Sequence, residues 1–144
     1  MRDPCFLLSL IILIVILSSC NTNNLGDNIY LLEGDRRENR IIVESTGKGF
    51  AGCIAGEYLV LAAYEEHFKN GKYSEFVDSV KADNDHVIAT TVSISNGIKS
   101  YWIIDKKKEK TWSDKDNPHS FVLGPLDFSS FSEEKRKNDI RLDF

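Results

Sequence analysis

The sequence has no excess of positive charge and none of the short motifs that mark the common enzyme classes. It contains 18 lysines and arginines against 22 aspartates and glutamates, and its formal net charge is −4. A nucleic-acid binder normally carries a basic face, so that class is disfavoured. The nucleophile-elbow, P-loop, dinucleotide-binding and zinc-protease patterns are all missing from the chain. We therefore expect a protein that is not an enzyme.

Histidine is scarce, and its three occurrences are scattered. His67, His86 and His119 lie far apart and lack the spacing of metal ligands. A metal site needs three or four convergent ligands. We therefore expect neither a metal ion nor another cofactor.

The apolar run near the N-terminus is too short to cross a membrane. Residues 6–17 form a run of twelve residues, whereas a spanning helix needs about 20. The run has the length of the apolar region of a secretory signal, about 7–15 residues. It leads into Leu17-Ser18-Ser19-Cys20, an aliphatic residue and two small residues followed by cysteine. This segment resembles a bacterial lipoprotein signal. The alternative is an ordinary signal peptide or an N-terminal helix with a chance cysteine.

The resemblance implies a processing route and a division of the chain. The Cys20 thiolate would take up a diacylglyceryl group, and a peptidase would cut before Cys20. Residues 1–19 are then the signal peptide, residues 20–27 a lipidated tether, and residues 28–144 a single domain. The residue after Cys20 is Asn21 rather than aspartate. In lipoprotein sorting of the Gram-negative type, this favours the outer membrane.

Cysteine is too scarce for a disulfide within the processed chain. Cys5 leaves with the signal and Cys20 carries lipid, so only Cys53 remains. Its small, apolar surroundings favour a buried structural cysteine. The alternative is a Cys53 nucleophile activated by a histidine, of which His67 is the nearest in sequence.

Several segments are rich in β-branched residues and predict strands. Residues 41–44 are one example. Residues 57–64 form an apolar run too short for periodicity to separate a strand from a helix. Residues 73–81 also fit both, and we favour a strand because the following Asp83-Asn84-Asp85 predicts a turn.

A hairpin is the clearest local feature. Residues 87–94 and 101–105 are β-rich runs that flank Asn96-Gly97, the strongest short hairpin signal. A two-residue turn there would pair Val92 with Tyr101. Both faces of this hairpin are partly apolar, which predicts a central position covered on each side.

The C-terminal part predicts one more strand and a helix. Residues 121–123 favour a last strand, ended by Gly124-Pro125. Ser130 and Glu133 have the spacing of a capping box, which predicts a short helix near residues 131–138. The fold class expected is mainly β: a small antiparallel sheet domain with a short C-terminal helix, preceded by the lipoprotein signal peptide.

The second half of the chain resembles a group of small bacterial lipoproteins that share a domain of unknown function. The resemblance is carried by residues 87–89, by Tyr101-Trp102-Ile103-Ile104-Asp105-Lys106, by Gly124-Pro125-Leu126 and by the charged segment 132–138. It implies a fold and no catalytic residues.

These observations lead to one expected function and two alternatives. We expect a lipid-anchored envelope protein, attached to the membrane through Cys20, that binds another envelope component without catalysis. The first alternative is an immunity or inhibitor lipoprotein that blocks a toxin or an envelope hydrolase. The second is an enzyme that depends on Cys53.

Two surface features are candidates for binding. Residues 106–110 are lysine-rich and could touch anionic lipid or a partner, but an exposed hairpin tip is favoured. Trp102 and Trp112 could bind glycan or peptide, but packing is favoured for both.

Overall fold

The protein is described by a computed structural model, which covers residues 22–34, 36–48, 54–60, 68–69, 72–108 and 120–144. These residues form strands, one short 3₁₀ helix (Arg37–Asn39) and one α-helix. The elements are β1 (Thr22–Gly26), β2 (Ile29–Leu32), β3 (Ile41–Lys48), β4 (Ile54–Val60), β5 (Phe68–Lys69), β6 (Lys72–Tyr73), β7 (Glu75–Ala82), β8 (His86–Ser93), β9 (Lys99–Asp105), β10 (Val122–Leu126) and α1 (Phe128–Lys137). The expected fold class, mainly β with a short C-terminal helix, is confirmed.

The first sheet is an antiparallel meander with the strand order β1-β2-β3-β4. It corrects the tether expected over residues 20–27, because Thr22–Gly26 is a strand paired with β2. The turn between the two strands is formed by Asp27 and Asn28, whose φ angles of 51° and 62° are both left-handed. Two such residues in succession match the twist of a hairpin. Leu25 is buried in the core, which holds this hairpin against the rest of the fold.

The second sheet is also an antiparallel meander, with the order β10-β9-β8-β7. The strand favoured for residues 73–81 is confirmed, since β7 spans Glu75–Ala82. Of residues 57–64, the part up to Val60 belongs to β4, and residues 61–64 lie outside the described ranges.

The central hairpin is confirmed, but its register was wrong by two residues. Val92 lies opposite Lys99, rather than opposite Tyr101 as predicted. The loop is longer than two residues because Asn96 does not adopt a left-handed φ. Its side chain instead accepts a hydrogen bond from the Ile98 amide at 2.9 Å. A shift of two residues leaves every side chain on its expected face.

Both faces of this hairpin are covered, as predicted. The inner face packs against the first sheet in a core that includes Ala89, Trp102 and Ile104. The outer face carries Ile88 and Ile103, which pack under α1. The second sheet is therefore buried on both sides at its centre. This explains why β8 and β9 carry apolar side chains on both of their faces.

The start of α1 and the end of β10 both differ from expectation. The cap of α1 is Asp127, which accepts a hydrogen bond from the Ser130 amide at 2.8 Å, so Ser130 lies inside the helix. That backbone hydrogen bond lowers the pKa of the Asp127 carboxyl below its ordinary value. Strand β10 continues through Gly124 and Pro125 to Leu126, with a shift in its pairing to β9.

Among the residues that the structure describes, no helix is long and apolar enough to span a membrane.

Candidate functional site

The residues with the most specific sequence signals lie outside the described ranges. These residues are Leu17, Ser18, Ser19, Cys20, Cys53, His67, Trp112 and His119. The lipidation motif and the Cys53 alternative therefore stay predictions.

Trp102 is a packing residue, as favoured. Its ring is buried in the core, and its Nε1 donates to Thr91 Oγ1 at 3.1 Å. The Thr91 hydroxyl in turn donates to Glu75 Oε2 at 3.0 Å. This chain of hydrogen bonds satisfies the indole nitrogen inside the protein, so Trp102 presents no ring to a ligand.

The prediction of an exposed hairpin tip over residues 106–110 is wrong for Lys106. Its side chain is buried, and its Nζ donates to the carbonyl oxygens of Leu25 and Asp83. Lys106 therefore joins β1 to the β7–β8 turn. Lys107 is exposed and pairs with Asp85 at 2.6 Å, and that contact raises the pKa of Lys107 above its ordinary value.

His86 lies at the start of β8, with its Nδ1 4.0 Å from Asp83 Oδ1. Within the described ranges, no group of three or more histidine, cysteine, aspartate or glutamate side chains is placed to hold a metal ion.

A cavity of about 470 Å³ lies between α1 and the outer face of the second sheet. This volume is within the range of small-molecule sites, about 300–1,000 Å³. We call it the helix cavity. Its lining combines hydroxyl, aromatic and charged side chains: Ser79, Thr90, Lys99, Tyr101, Phe128, Phe131, Ser132, Lys135, Asp143 and Phe144.

The sheet side of the helix cavity is a cross-strand row of three hydroxyl residues. Ser79 on β7 pairs with Thr90 on β8, which pairs with Tyr101 on β9. A bulge at Asp78 creates this row, because it shifts the pairing so that Ser79 lies opposite Thr90. Neighbouring strands are about 4.8 Å apart, so the three residues are close enough to meet one ligand.

Thr90 is the unusual member of this row. It is only 1% exposed, and its Oγ1 has no hydrogen-bond partner among the described residues. Burying a hydroxyl without a partner costs about 1–3 kcal/mol, so such groups are rare in native proteins. Thr90 also lines the helix cavity, so a ligand there could supply the missing partner once a neighbouring side chain shifts to uncover the hydroxyl.

Aromatic rings from α1, from the segment after it and from Tyr101 on β9 line the cavity. The Tyr101 ring stacks on Phe131 with centroids 4.9 Å apart, and it meets Phe128 at 5.5 Å and Phe144 at 6.4 Å. Phe128 and Phe144 are both at least half exposed. Large apolar side chains exposed at the mouth of a cavity provide a surface for an apolar ligand group.

Two lysines supply positive charge at the cavity. Lys99 Nζ is 3.4 Å from Asp78 Oδ2, and Lys135 Nζ is 2.5 Å from Asp143 Oδ1. Burial works to raise the pKa of Asp78, but hydrogen bonds from Arg37 and Lys99 outweigh it and hold that pKa below its ordinary value. Asp78 is therefore a firm partner for Lys99.

Two other surface features are less suited to a ligand. A second cavity of about 360 Å³ lies beside β10 and the end of α1, with residues of both charges in its lining, among them Glu134 and Lys137. A shallow patch near residues 36–40 carries three arginines. Two of these already bind Asp78: Arg37 contacts its carboxylate and Arg40 donates to its carbonyl oxygen. Arg40 Nε, like Thr90 Oγ1, is buried without a hydrogen-bond partner among the described residues, but the arginine patch is shallow. The helix cavity is the larger space and combines Thr90 with aromatic and charged residues, so it is the candidate site.

None of the helix-cavity residues was singled out from the sequence for chemistry. They come from three strands, a helix and the segment that follows it, so no local motif joins them. Comparison with protein-family models, with curated proteins and with solved structures gave no match.

Proposed function

We propose that this protein is a lipid-anchored, non-catalytic binding protein of the bacterial envelope, of the small-lipoprotein kind that its second half resembles. The anchor is the lipid on Cys20, and the outer membrane is the favoured location because Asn21 follows the cysteine. The ligand site is the helix cavity. The observation that carries the binding role is Thr90, which lines this cavity and whose buried hydroxyl has no hydrogen-bond partner among the described residues.

The position of β1 adds a physical consequence to the anchor. The sheet begins at Thr22, so only Asn21 separates it from Cys20. Two residues of extended chain span about 7 Å at most. The domain would therefore be held against the membrane surface rather than on a long tether. Two or more acyl chains give a firm attachment, whereas one chain gives only a marginal one.

The polar groups of the helix cavity favour binding over catalysis. A serine nucleophile needs a base within hydrogen-bond reach. Ser132 Oγ instead donates to the Phe128 carbonyl oxygen at 2.7 Å, and Lys135 pairs with Asp143. Hydroxyls and lysines in this arrangement hold a ligand and orient it.

The anchor is tested by expressing the full chain with its own signal, separating membranes from soluble protein and measuring intact mass. We expect the wild type in the membrane fraction, beginning at Cys20 and carrying added acyl mass. Cys20→Ala should remove both the acyl mass and the cleavage. Cys53→Ala is the matched control and should behave as the wild type. A soluble or unacylated wild-type product would refute the anchor.

A further inference from the structure

We infer that the helix cavity binds a small organic carboxylate that carries an aromatic or other apolar group, in the place that Asp143 and Phe144 occupy here. The inference rests on the binding role proposed above and names the class of ligand. It does not depend on the lipid anchor.

The segment that follows α1 already presents this chemistry to the cavity. The Asp143 carboxylate contacts Lys135 Nζ at 2.5 Å. The neighbouring Phe144 ring lies 6.1 Å from Phe131 and 6.4 Å from Tyr101. A carboxylate and a phenyl ring side by side are thus held by one lysine and two aromatic rings. A ligand with the same two groups would meet the same partners.

The contact of this segment with the cavity is weak enough to be replaced. The Asp143 side chain is 85% exposed, whereas that of Lys135 is 15% exposed. Ion pairs with an exposed partner contribute about 0–1 kcal/mol. Lys135 is therefore the less exposed and better held half of the pair. The Asp143 carboxylate can be exchanged for the carboxylate of a ligand at little cost in free energy.

A separate ligand gains contacts that Asp143 does not make. The Thr90 hydroxyl lies just below the sheet side of the cavity, and a small shift of a lining side chain would let it donate to a carboxylate oxygen. Lys99 lines the same cavity, and a ligand carboxylate there would share its charge with Asp78, which lies 3.4 Å from Lys99 Nζ. Hydrogen bonds to a charged acceptor are about twice as strong as neutral ones, so a carboxylate is favoured over an alcohol. The aromatic walls select against a small hydrophilic acid.

The test is calorimetric titration of the protein, purified after expression of the full chain, with 3-phenylpropionate. We expect binding of this acid, but not of propionate, 3-phenylpropan-1-ol or 3-phenylpropylamine. Lys135→Ala removes the partly buried cation and should weaken binding about tenfold or more. Lys137→Ala makes the same change on the same helix, away from the cavity, and should change affinity less than about twofold.

A double variant tests the role of the segment itself. Replacing Asp143 and Phe144 together by alanine removes the competing carboxylate and ring, so 3-phenylpropionate should bind several-fold more tightly. This variant changes mainly exposed side chains, and it keeps the inference testable if Lys135→Ala fails to fold. A short peptide ending in a free phenylalanine carboxylate, compared with its amide, distinguishes a peptide ligand from a free acid.

Three results would overturn the inference. One is the absence of binding to both the wild type and the double variant. The second is equal binding of the acid, the alcohol and the amine. The third is equal weakening by Lys135→Ala and Lys137→Ala. Loss of the acyl mass on Cys20 would refute the anchor and leave this titration unaffected, so the two failures can be told apart.

Discussion

Replacing either of two adjacent threonines on β8 by valine should change the free energy of unfolding, but in opposite directions. Thr90 and Thr91 are 1% and 0% exposed and face opposite sides of the second sheet. The Thr91 hydroxyl accepts from Trp102 and donates to Glu75, whereas the Thr90 hydroxyl has no partner among the described residues. Valine has nearly the shape of threonine and removes only the hydroxyl. The pair therefore isolates the free energy of each polar group.

The magnitudes follow from the hydrogen bonds. A buried hydroxyl without a partner costs about 1–3 kcal/mol, so Thr90→Val should stabilise the protein by about 1 kcal/mol. For a domain of this size that raises the melting temperature by about 3–5 °C. Thr91→Val leaves the Trp102 indole nitrogen buried and unpaired and removes a hydrogen bond to a carboxylate. It should destabilise the protein by about 2–4 kcal/mol.

The assay is guanidinium unfolding of the wild type and the two variants, with the free energy of unfolding taken from linear extrapolation. Thr90→Val should also weaken binding of 3-phenylpropionate, because the ligand loses a donor. The reasoning is refuted if Thr90→Val destabilises the protein as much as Thr91→Val does. That result would mean that the Thr90 hydroxyl is already satisfied in the free protein.

Three further substitutions test other parts of the structure. Lys106→Met leaves a buried carbonyl oxygen on Leu25 and a partly buried one on Asp83 without their donor, and should destabilise the protein by about 2–3 kcal/mol, as measured by guanidinium unfolding. Gly124→Ala would place a Cβ 2.5 Å from the Trp102 ring at a φ of 151°, and should lower stability by about 2 kcal/mol or more in the same assay. Asp78→Asn should destabilise the protein at neutral pH. The pKa of Asp78 is depressed in the folded state, so its contribution is present above its ordinary pKa of 3.8 and is lost as the pH falls through the folded-state value. Unfolding curves from about pH 7 to pH 2 should show the wild type and Asp78→Asn converging in acid.

Each of these three predictions has a control variant or an outcome that would contradict it. Lys108 is exposed, so Lys108→Met should change stability by less than about 0.5 kcal/mol, and an equal loss in both lysine variants would refute the buried role of Lys106. Gly97 has open space around it and a φ of 69°, so Gly97→Ala should cost only about 1–2 kcal/mol from its backbone. A loss as large as that of Gly124→Ala would contradict the steric argument. If the stability difference for Asp78→Asn is the same at every pH, the ionised carboxylate is not what stabilises the fold.

Much of the fold could be predicted from local pattern. The β-branched residues of β3 and β8 indicated strands, and the apolar character of both faces placed the β8–β9 hairpin at the centre of its sheet. The register could not be predicted from Asn96-Gly97 alone. Asn96 can either adopt a left-handed backbone conformation or accept a hydrogen bond through its side chain from the backbone two residues on. Here its side chain accepts from the Ile98 amide. Two such local options differ by too little energy for sequence to decide.

The helix start shows the same limit. Asp127 and Ser130 are both good caps, and the chain uses the earlier one. The first hairpin was missed for a different reason. Asp27-Asn28 carries a turn signal, but the polar residues before it concealed a strand with one buried side chain, Leu25.

The helix cavity could not be predicted at all. Its sheet side needs Ser79, Thr90 and Tyr101 in one row, and that row depends on strand pairing and on the bulge at Asp78. Without the bulge, Asp78 rather than Ser79 would lie opposite Thr90. Sequence patterns report which face of a strand a residue occupies. They do not report which residues of other strands share its row.

The most direct test of the binding site is a map of amide chemical shifts while 3-phenylpropionate is added to the isotope-labelled protein. The largest changes are expected around the helix cavity, at Ser79, Thr90, Tyr101, Lys135 and Phe144. Changes centred on the second cavity near Lys137, or on the arginine patch at residues 36–40, would contradict the account. So would a spectrum that does not change.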